Sequence, residues 1–375
     1  MTAAQRAEVE RLRAIGYLAG SKLAPSTSGV TVHDRESAQP GLNFMTSGDR
    51  PGAVLMNMDG DVLHRWELPF LEAFPDSQRA SASESAAYWR FAHPFENGDV
   101  LAVFEGLGLI KVDRRSRLLW AHAGGEHHAL DVTDDGRIYV LTRRAHLNPS
   151  INTEEPVLED FVTVMDARGR VIKSVSVLRA FQNSYFITAL TSFGMKNFGD
   201  LMHTNAIDVL DGRIADRIPA FSKGNVLVSI RQLDIIAVID MEREAVVWIG
   251  GGLWRAQHDS KVLPNGNLML FDNKGQGGLS KVIEYDPATQ RIYWVYYGTK
   301  EAPLYSEMCG ACHRLANGNT LVVESDFGRV AEVTVGGDVV WEYLNPARAG
   351  DEDELIATIF DMVRLPGDFG ARWID

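Results

Sequence analysis

Apolar and polar residues alternate with a period of two from Gly41 almost to the C-terminus, in short runs punctuated by Asn-Gly, Asp-Gly and Lys-Gly pairs. That pattern predicts half-buried β-strands joined by tight turns. The clearest instance is Gln257 to Asn273, where two apolar runs flank Asn265-Gly266. Asn and Gly both tolerate positive φ, so the pair predicts a hairpin with a type I′ turn. Degraded copies turn at Asn97-Gly98, Asp135-Gly136, Lys223-Gly224 and Asn317-Gly318. A second kind of hairpin alternates with the first: an apolar strand, a turn usually marked by Asp, and a strand usually ending in Trp. Its copies cover 54–66, 109–120, 162–175, 236–248, 282–294 and 330–341, with Asp59, Asp113, Asp166, Asp240 and Asp286 at five turns and Thr334 at the sixth.

Two hairpins make one four-stranded antiparallel blade. Six such units predict an all-β chain folded as a six-bladed β-propeller, the recurring Trp packing between blades. The opening strand Ile356 to Leu365 has no partners after it, while 41–66 supplies three strands with no opening strand before them. The expected closure places the C-terminal strand innermost beside the N-terminal strands, which removes open sheet edges. Residues 1–40 are expected to form a short amphipathic helix ending at Gly16 and an irregular lead-in without chemistry; residues 41–375 form a single propeller domain. Four excursions, 67–88, 144–160, 178–201 and 214–222, are expected to decorate the faces as lids or mobile segments.

Composition narrows the function. A chain of 375 residues with 45% hydrophobic and 23% charged residues suits a soluble globular protein. Its net charge of −13, without a basic stripe, argues against nucleic acid or an anionic membrane as partner and leaves a small-molecule substrate. No apolar run is long enough to span a bilayer and the N-terminus does not read as a signal peptide, so the expected location is cytoplasmic. Two cysteines, Cys309 and Cys312, exclude a disulfide framework.

Alignment of the copies on the turn glycine places Arg90, His128, His258, Gly310 and Phe360 at one equivalent position, with His203 taking it in the third blade counted from Arg90. A second position, seven residues after the glycine, holds Glu105, Arg143, Arg231, Asn273 and Ser325. Innermost strands line the channel and a hairpin returns to where it started, so both sets should ring one mouth. Imidazoles, guanidiniums and an amide gathered there suit an anion such as a sulfuryl, phosphoryl or carboxylate group. Strand parity directs His93 and His313 between blades and turns His127 away from His128. Cys309-Gly310-Ala311-Cys312-His313 fits a haem-attachment or redox-dithiol pattern. Parity splits the two thiols between opposite faces and makes Cys312 the candidate for the channel wall.

Several stretches resemble the bacterial arylsulfotransferase family of six-bladed propellers, in a poorly characterised branch. They are Gly41-Leu42-Asn43-Phe44, Asp59 to Trp66, His203-Thr204-Asn205, Gln257-His258, Phe271-Asp272-Asn273, Leu315 to Leu321 and Val340 to Tyr343. The resemblance implies transfer of a sulfuryl group between phenols through a sulfo-histidine, without a cofactor. His258, His203, His128 and Arg231 are then the catalytic candidates; Asn273, Arg90, Arg143, Glu105, Asn205 and Cys312 are the substrate-binding ones. Two departures stand out: Lys274 and Gln276 replace an arginine expected after Phe271-Asp272-Asn273, and the fifth-blade region, counted from Arg90, carries the Cys309 to His313 run. Two alternatives use the same scaffold: a divalent metal held by His128, His203 and His258 for a lyase, isomerase or oxygenase reaction, and a non-catalytic binding propeller.

Overall fold

The computed structural model describes residues 1–77, 84–300 and 302–374, without the side chain of Gln276. Residues 78–83, inside the 67–88 excursion, lie outside that set, as does the side-chain reading at Gln276. Among the described residues the strands form six sheets of four or five strands and one small three-stranded sheet. Taking each sheet from its first strand outward, one consists of Ile359–Leu365, Leu42–Ser47, Gly52–Met56 and Val62–Glu67. The next runs Phe91–Pro94, Val100–Phe104, Gly108–Val112 and Leu118–His122. The third has Glu126–Val132, Ile138–His146, Val157–Met165 and Val171–Ser176, with Gly199–Asp200 added in parallel. Thr204–Val209, Val226–Ile230, Ile235–Asp240 and Ala245–Gly251 follow, then His258–Val262, Leu268–Asp272, Lys281–Asp286 and Arg291–Tyr296. The sixth comprises Ala311–Arg314, Thr320–Glu324, Arg329–Val333 and Val339–Leu344.

Neighbouring sheets meet through their inner strands, and the contacts return from Ala311–Arg314 to Ile359–Leu365 and from Leu42–Ser47 to Phe91–Pro94. Apolar side chains fill the space between facing sheets: Leu55, Trp66, Val100 and Phe104 across one interface, Met269, Phe271, Cys312 and Val322 across another. The strand-end tryptophans cross these interfaces with their polar edge as well. Trp66 Nε1 donates to the Gly98 carbonyl at 2.9 Å, Trp294 to Val335 at 2.9 Å and Trp341 to Met58 at 2.9 Å, each in a turn of the following sheet.

Carboxylates bind the sheets in the same forward direction. Glu105 accepts the His128 N–H (2.8 Å), Asp131 that of Val209 (2.8 Å), Asp160 that of Thr204 (2.7 Å), Asp208 that of Val262 (2.7 Å) and Asp259 that of Cys312 (2.7 Å). At the seam Glu332 accepts the N–H of Gln39 (2.6 Å) and pairs with Arg364 (2.9 Å), both side chains almost wholly buried.

Four local expectations need correction. The Asn-Gly turns are not type I′, because only the glycine has positive φ, for example 84° at Gly266 and 85° at Gly98. Gly266 N–H donates to Leu263 O and Leu263 N–H to Asn267 O, which is a type I turn closed by a left-handed glycine. The Asn265 side chain caps it by accepting from Asn267 N–H at 3.0 Å. In the first Asp-type turn Asn57, not Asp59, plays the capping part, accepting from both Asp59 and Asp61 N–H. The 144–160 excursion is mostly strand: Arg143 pairs with Asp160 and His146 with Val157 in one continuous ladder. The lead-in is not irregular. Helix Ala3–Arg13 lays Val9 and Leu12 on Ala145 and Leu158, Gly20–Leu23 pairs with Leu355–Ala357, and Gly29–His33 adds an edge strand beside Val339–Leu344. Among the described residues no helix is long and apolar enough to cross a membrane.

Trp66→Phe removes the Nε1 donor together with the five-membered half of a fully buried indole, so the Gly98 carbonyl loses its partner and a void opens in the interface. A loss of about 1–3 kcal/mol is expected, read as a lower urea midpoint at unchanged slope; an unchanged midpoint would show that the indole bond carries no net stability.

Candidate functional site

The first strands of all six sheets line one cavity of about 210 Å³. Period-two pairing fails at the end of these strands nearest the N-terminal segment. Register breaks fall between His127 and Leu130, Thr204 and Ala206, His258 and Lys261, and Ile359 and Asp361. His128, His203 and Asp259 have φ of 56°, 51° and 52°, and Gly310 stands at the corresponding place with φ 155°. A side chain at Gly310 would run into the Phe271 ring at 2.5 Å. Bulges of this kind re-aim consecutive side chains, and here they gather histidines.

Tyr17 is the hub of the gathering. Its hydroxyl lies 2.5 Å from His128 Nε2 and 3.1 Å from His203 Nε2. The Arg90 guanidinium stacks 4.9 Å from its ring centroid and 5.2 Å from that of Phe360. Asp200 fixes His203 by accepting from Nδ1 at 2.6 Å and from the backbone N–H at 3.1 Å, which leaves Nε2 as a lone pair. His128 Nδ1 lies 2.6 Å from His127 Nδ1 and 3.5 Å from Glu105 Oε1, and the same Glu105 oxygen is 3.2 Å from Arg143. Arg143 also donates to the Ile15 carbonyl, tying the N-terminal segment down.

His258 is held separately. Asn273 Oδ1 accepts from its Nδ1 at 2.7 Å, and the orientation of that amide is set by its NH₂, which donates to Ser306 O (2.8 Å) and Cys309 O (2.7 Å). His258 Nε2 is buried, has no hydrogen-bond partner, and belongs to a side chain lining the cavity. Burial, then the charge of Arg231, pushes the His258 imidazole well below its usual pKa. Burial and neighbouring imidazoles do the same to His128; burial and the Arg143 charge do it to His127. Burial also drives the Tyr17 phenol well up and the Cys309 thiol up to about 12.

The candidates divide by location. Arg90, His128, His258 and Asn205 line the cavity; Glu105, Arg143 and His203 support the Tyr17 end; Arg231, in the turn Arg231–Leu233, donates its N–H to His203 O. Both N–H bonds of the Asn273 amide are spent on carbonyls, so it has none left for a substrate anion, whereas the Asn205 amide gives one to Gln257 O (2.8 Å). Cys312 does not reach the channel wall: it is fully buried beside Phe271 and Met269, between sheets. His313, expected between blades, lines the cavity instead, 3.0 Å from Lys261 Nζ and 2.8 Å from Asp361. His127 turns toward His128 rather than away. The bulge at His128 and Ala129 accounts for His127, because it re-aims consecutive side chains; Cys312 and His313 lie in an unbroken ladder, Ala311 to Arg314, that begins just after Gly310. Lys274 points to Glu307 (3.1 Å). The metal-capable grouping among the described residues is Glu105, His127 and His128, not His128, His203 and His258. Tyr17 and Asp200 went unnoticed in the sequence; Asp200, three residues before His203, had a readable spacing, whereas Tyr17 had no local signal.

The depressed His258 pKa has a definite sign in stability. The proton binds the unfolded chain more tightly, so no penalty exists above about pH 6.5 and one grows as pH falls toward the folded value. Relative to wild type, His258→Gln should therefore gain up to about 1.4 kcal/mol per pH unit below 6.5. Urea midpoints of the two proteins at about pH 7.5 and about pH 5.5 measure the difference; parallel pH profiles would contradict it.

Among solved structures, a protein of unknown function from Bacteroides caccae superposes with a TM-score of 0.53 at 13% identity, over 86% of this chain and 98% of that one. Virginiamycin B lyase from Staphylococcus aureus gives 0.46 at 12% identity, over 88% and 87%. The WD40 β-propeller domain of Doa1 gives 0.42 at 12%, over 88% and 98%. At such identities a likeness concerns the fold alone. No curated protein matches the sequence. The profile of the arylsulfotransferases (ASST), by contrast, matches residues 93–346, well over half of the chain. The all-β, propeller-like chain therefore belongs to the arylsulfotransferase (ASST) family.

Proposed function

We propose that this chain is a sulfotransferase-like enzyme built on a six-bladed propeller whose first blade is completed by the C-terminal strand. An aryl sulfate enters the cavity and His258 Nε2 attacks sulfur. The ester S–O bond breaks, and the departing phenolate takes a proton from solvent. In the second half-reaction an acceptor phenol gives its proton to the Nε2 lone pair of His203, which passes it to solvent, and takes the sulfuryl group from His258, whose Nε2 regains its electron pair. Arg90 and Arg231 supply positive charge to the sulfuryl oxygens, standing in for the arginine absent after Asn273. The observation that carries this reading is the His258 imidazole itself: its Nδ1–H is committed to Asn273, and its free Nε2 lone pair is buried with no partner at the wall of an open cavity. A neutral, oriented, unpartnered imidazole is a nucleophile in waiting.

Incubation with 4-nitrophenyl sulfate should release nitrophenol and add one SO₃ group to His258, located by peptide mass spectrometry. His258→Ala should lower turnover by at least about 10³-fold and Arg231→Ala by about 10²–10³-fold. A 4-nitrophenyl phosphate assay run beside it separates group transfer in general from sulfur chemistry. Absence of sulfuryl on every histidine sinks the proposal.

A metal-dependent reading draws on one observation, that ligand-capable atoms of Glu105, His127 and His128 lie within 4.8 Å of one another. It predicts stoichiometric divalent metal in the purified protein and its loss in His128→Ala. Elemental analysis that finds no stoichiometric metal removes it.

A further inference from the structure

The N-terminal segment is not a loose leader over the site. Tyr17 is buried, and its backbone is clamped at both ends by one hydroxyl: Tyr17 N–H donates to Tyr88 Oη at 3.1 Å, and Tyr88 Oη donates to Tyr17 O at 2.7 Å. The next residues are fastened to the chain's own C-terminal region. Leu18 O accepts from Thr358 Oγ1 (3.2 Å), Ala19 O from Thr358 N–H (2.7 Å), and Gly20–Leu23 pairs with Leu355–Ala357. These ties place a phenol, the functional group a sulfuryl acceptor presents, between two imidazoles and under an arginine.

We propose that Tyr17 is a built-in sulfuryl acceptor, so that the chain sulfates its own phenol. The inference rests on the sulfuryl-transfer reading above. Two features support the tyrosine as acceptor rather than packing. The His203 Nε2 lone pair faces the phenolic hydroxyl at 3.1 Å, and the Asp200 carboxylate backs the same imidazole at 2.6 Å, an arrangement that removes a proton from a buried hydroxyl. The Arg90 guanidinium, which stacks on the Tyr17 ring, also lines the cavity that His258 borders, so one cation reaches from donor space to acceptor. The step balances without another reactant. The N–S bond of sulfo-His258 breaks and its electron pair returns to Nε2. A new S–O bond forms to Tyr17 Oη, whose proton passes to His203. Over the full cycle an aryl sulfate and tyrosine become a phenol and tyrosine O-sulfate.

The test uses the full chain. After incubation with 4-nitrophenyl sulfate, peptide mapping should find stoichiometric sulfate on Tyr17. Tyr17→Phe, checked for an unchanged unfolding transition, should carry none on any tyrosine. His203→Ala should label Tyr17 at least about 10²-fold more slowly. Sulfo-histidine formation or nitrophenol release with Tyr17 unmodified overturns this inference and leaves sulfuryl transfer standing. If neither sulfo-histidine nor nitrophenol appears, both readings fall together.

Discussion

A carboxylate that reaches forward to a backbone N–H of the next sheet is the interaction on which this molecule depends. Sheets of this kind share side-chain packing across their faces, but packing alone tolerates sliding and rotation. A hydrogen bond from an amide to a carboxylate fixes one backbone atom against one side chain and contributes about 1–3 kcal/mol, more where the carboxylate is buried, as at Glu105 and Asp160, than where it is half-buried, as at Asp131, Asp208 and Asp259. Glu105, Asp131, Asp160, Asp208 and Asp259 apply that constraint in series, and Glu332 applies it where the last sheet meets the first. Two of these contacts end inside the site. Glu105 holds the backbone of His128, and Asp160 holds Thr204, next to His203. The same bonds that space the sheets thus set the distances between the imidazoles.

The site trades charge for orientation. Three histidines are buried deeply enough that desolvation favours their neutral form, and arginines nearby strengthen that preference. Neutral imidazoles need neighbours to decide which nitrogen keeps the proton. Asn273 makes that decision for His258 and Asp200 for His203. In consequence the two rings differ in chemistry while occupying related places in the repeat: one presents an unpartnered nitrogen to an open cavity, the other a nitrogen already engaged with a hydroxyl.

Much of this was legible in the sequence, because repeats write the same physical requirement several times. The turn glycines, the strand-end tryptophans and the positions of His128, His203 and His258 all recur, and recurrence identifies a position even where one copy is ambiguous. Three kinds of information were not written that way. A bulge cannot be seen in an alternating pattern that it interrupts, so His127 was turned the wrong way; the ladder of Cys312 and His313 begins only after Gly310, so parity counted from Gly310 put both on the wrong face. Long-range pairing of an edge segment depends on partners hundreds of residues away, so Gly20–Leu23 and Gly29–His33 resembled irregular chain. Tyr17 combines both difficulties: its neighbours in sequence say nothing, and its partners Tyr88, His128 and His203 come from three separate parts of the chain.

The ladder between Ile359–Leu365 and Leu42–Ser47 has two unlike ends. Ile359 faces Ser47 beside Phe360, which packs with Tyr17, whereas Leu365 faces Leu42 at the far end of the channel. There Leu42–Ser47 begins and Ile359–Leu365 stops, side by side. Tension or thermal fraying entering at that point meets one residue pair at a time, as in a zipper, instead of loading the whole ladder in shear. Arg364, one residue in from that end, is tied to Glu332, Asn43 and the Gln39 carbonyl, so the point where such opening would start is braced by a buried ion pair a full strand length away from the histidines.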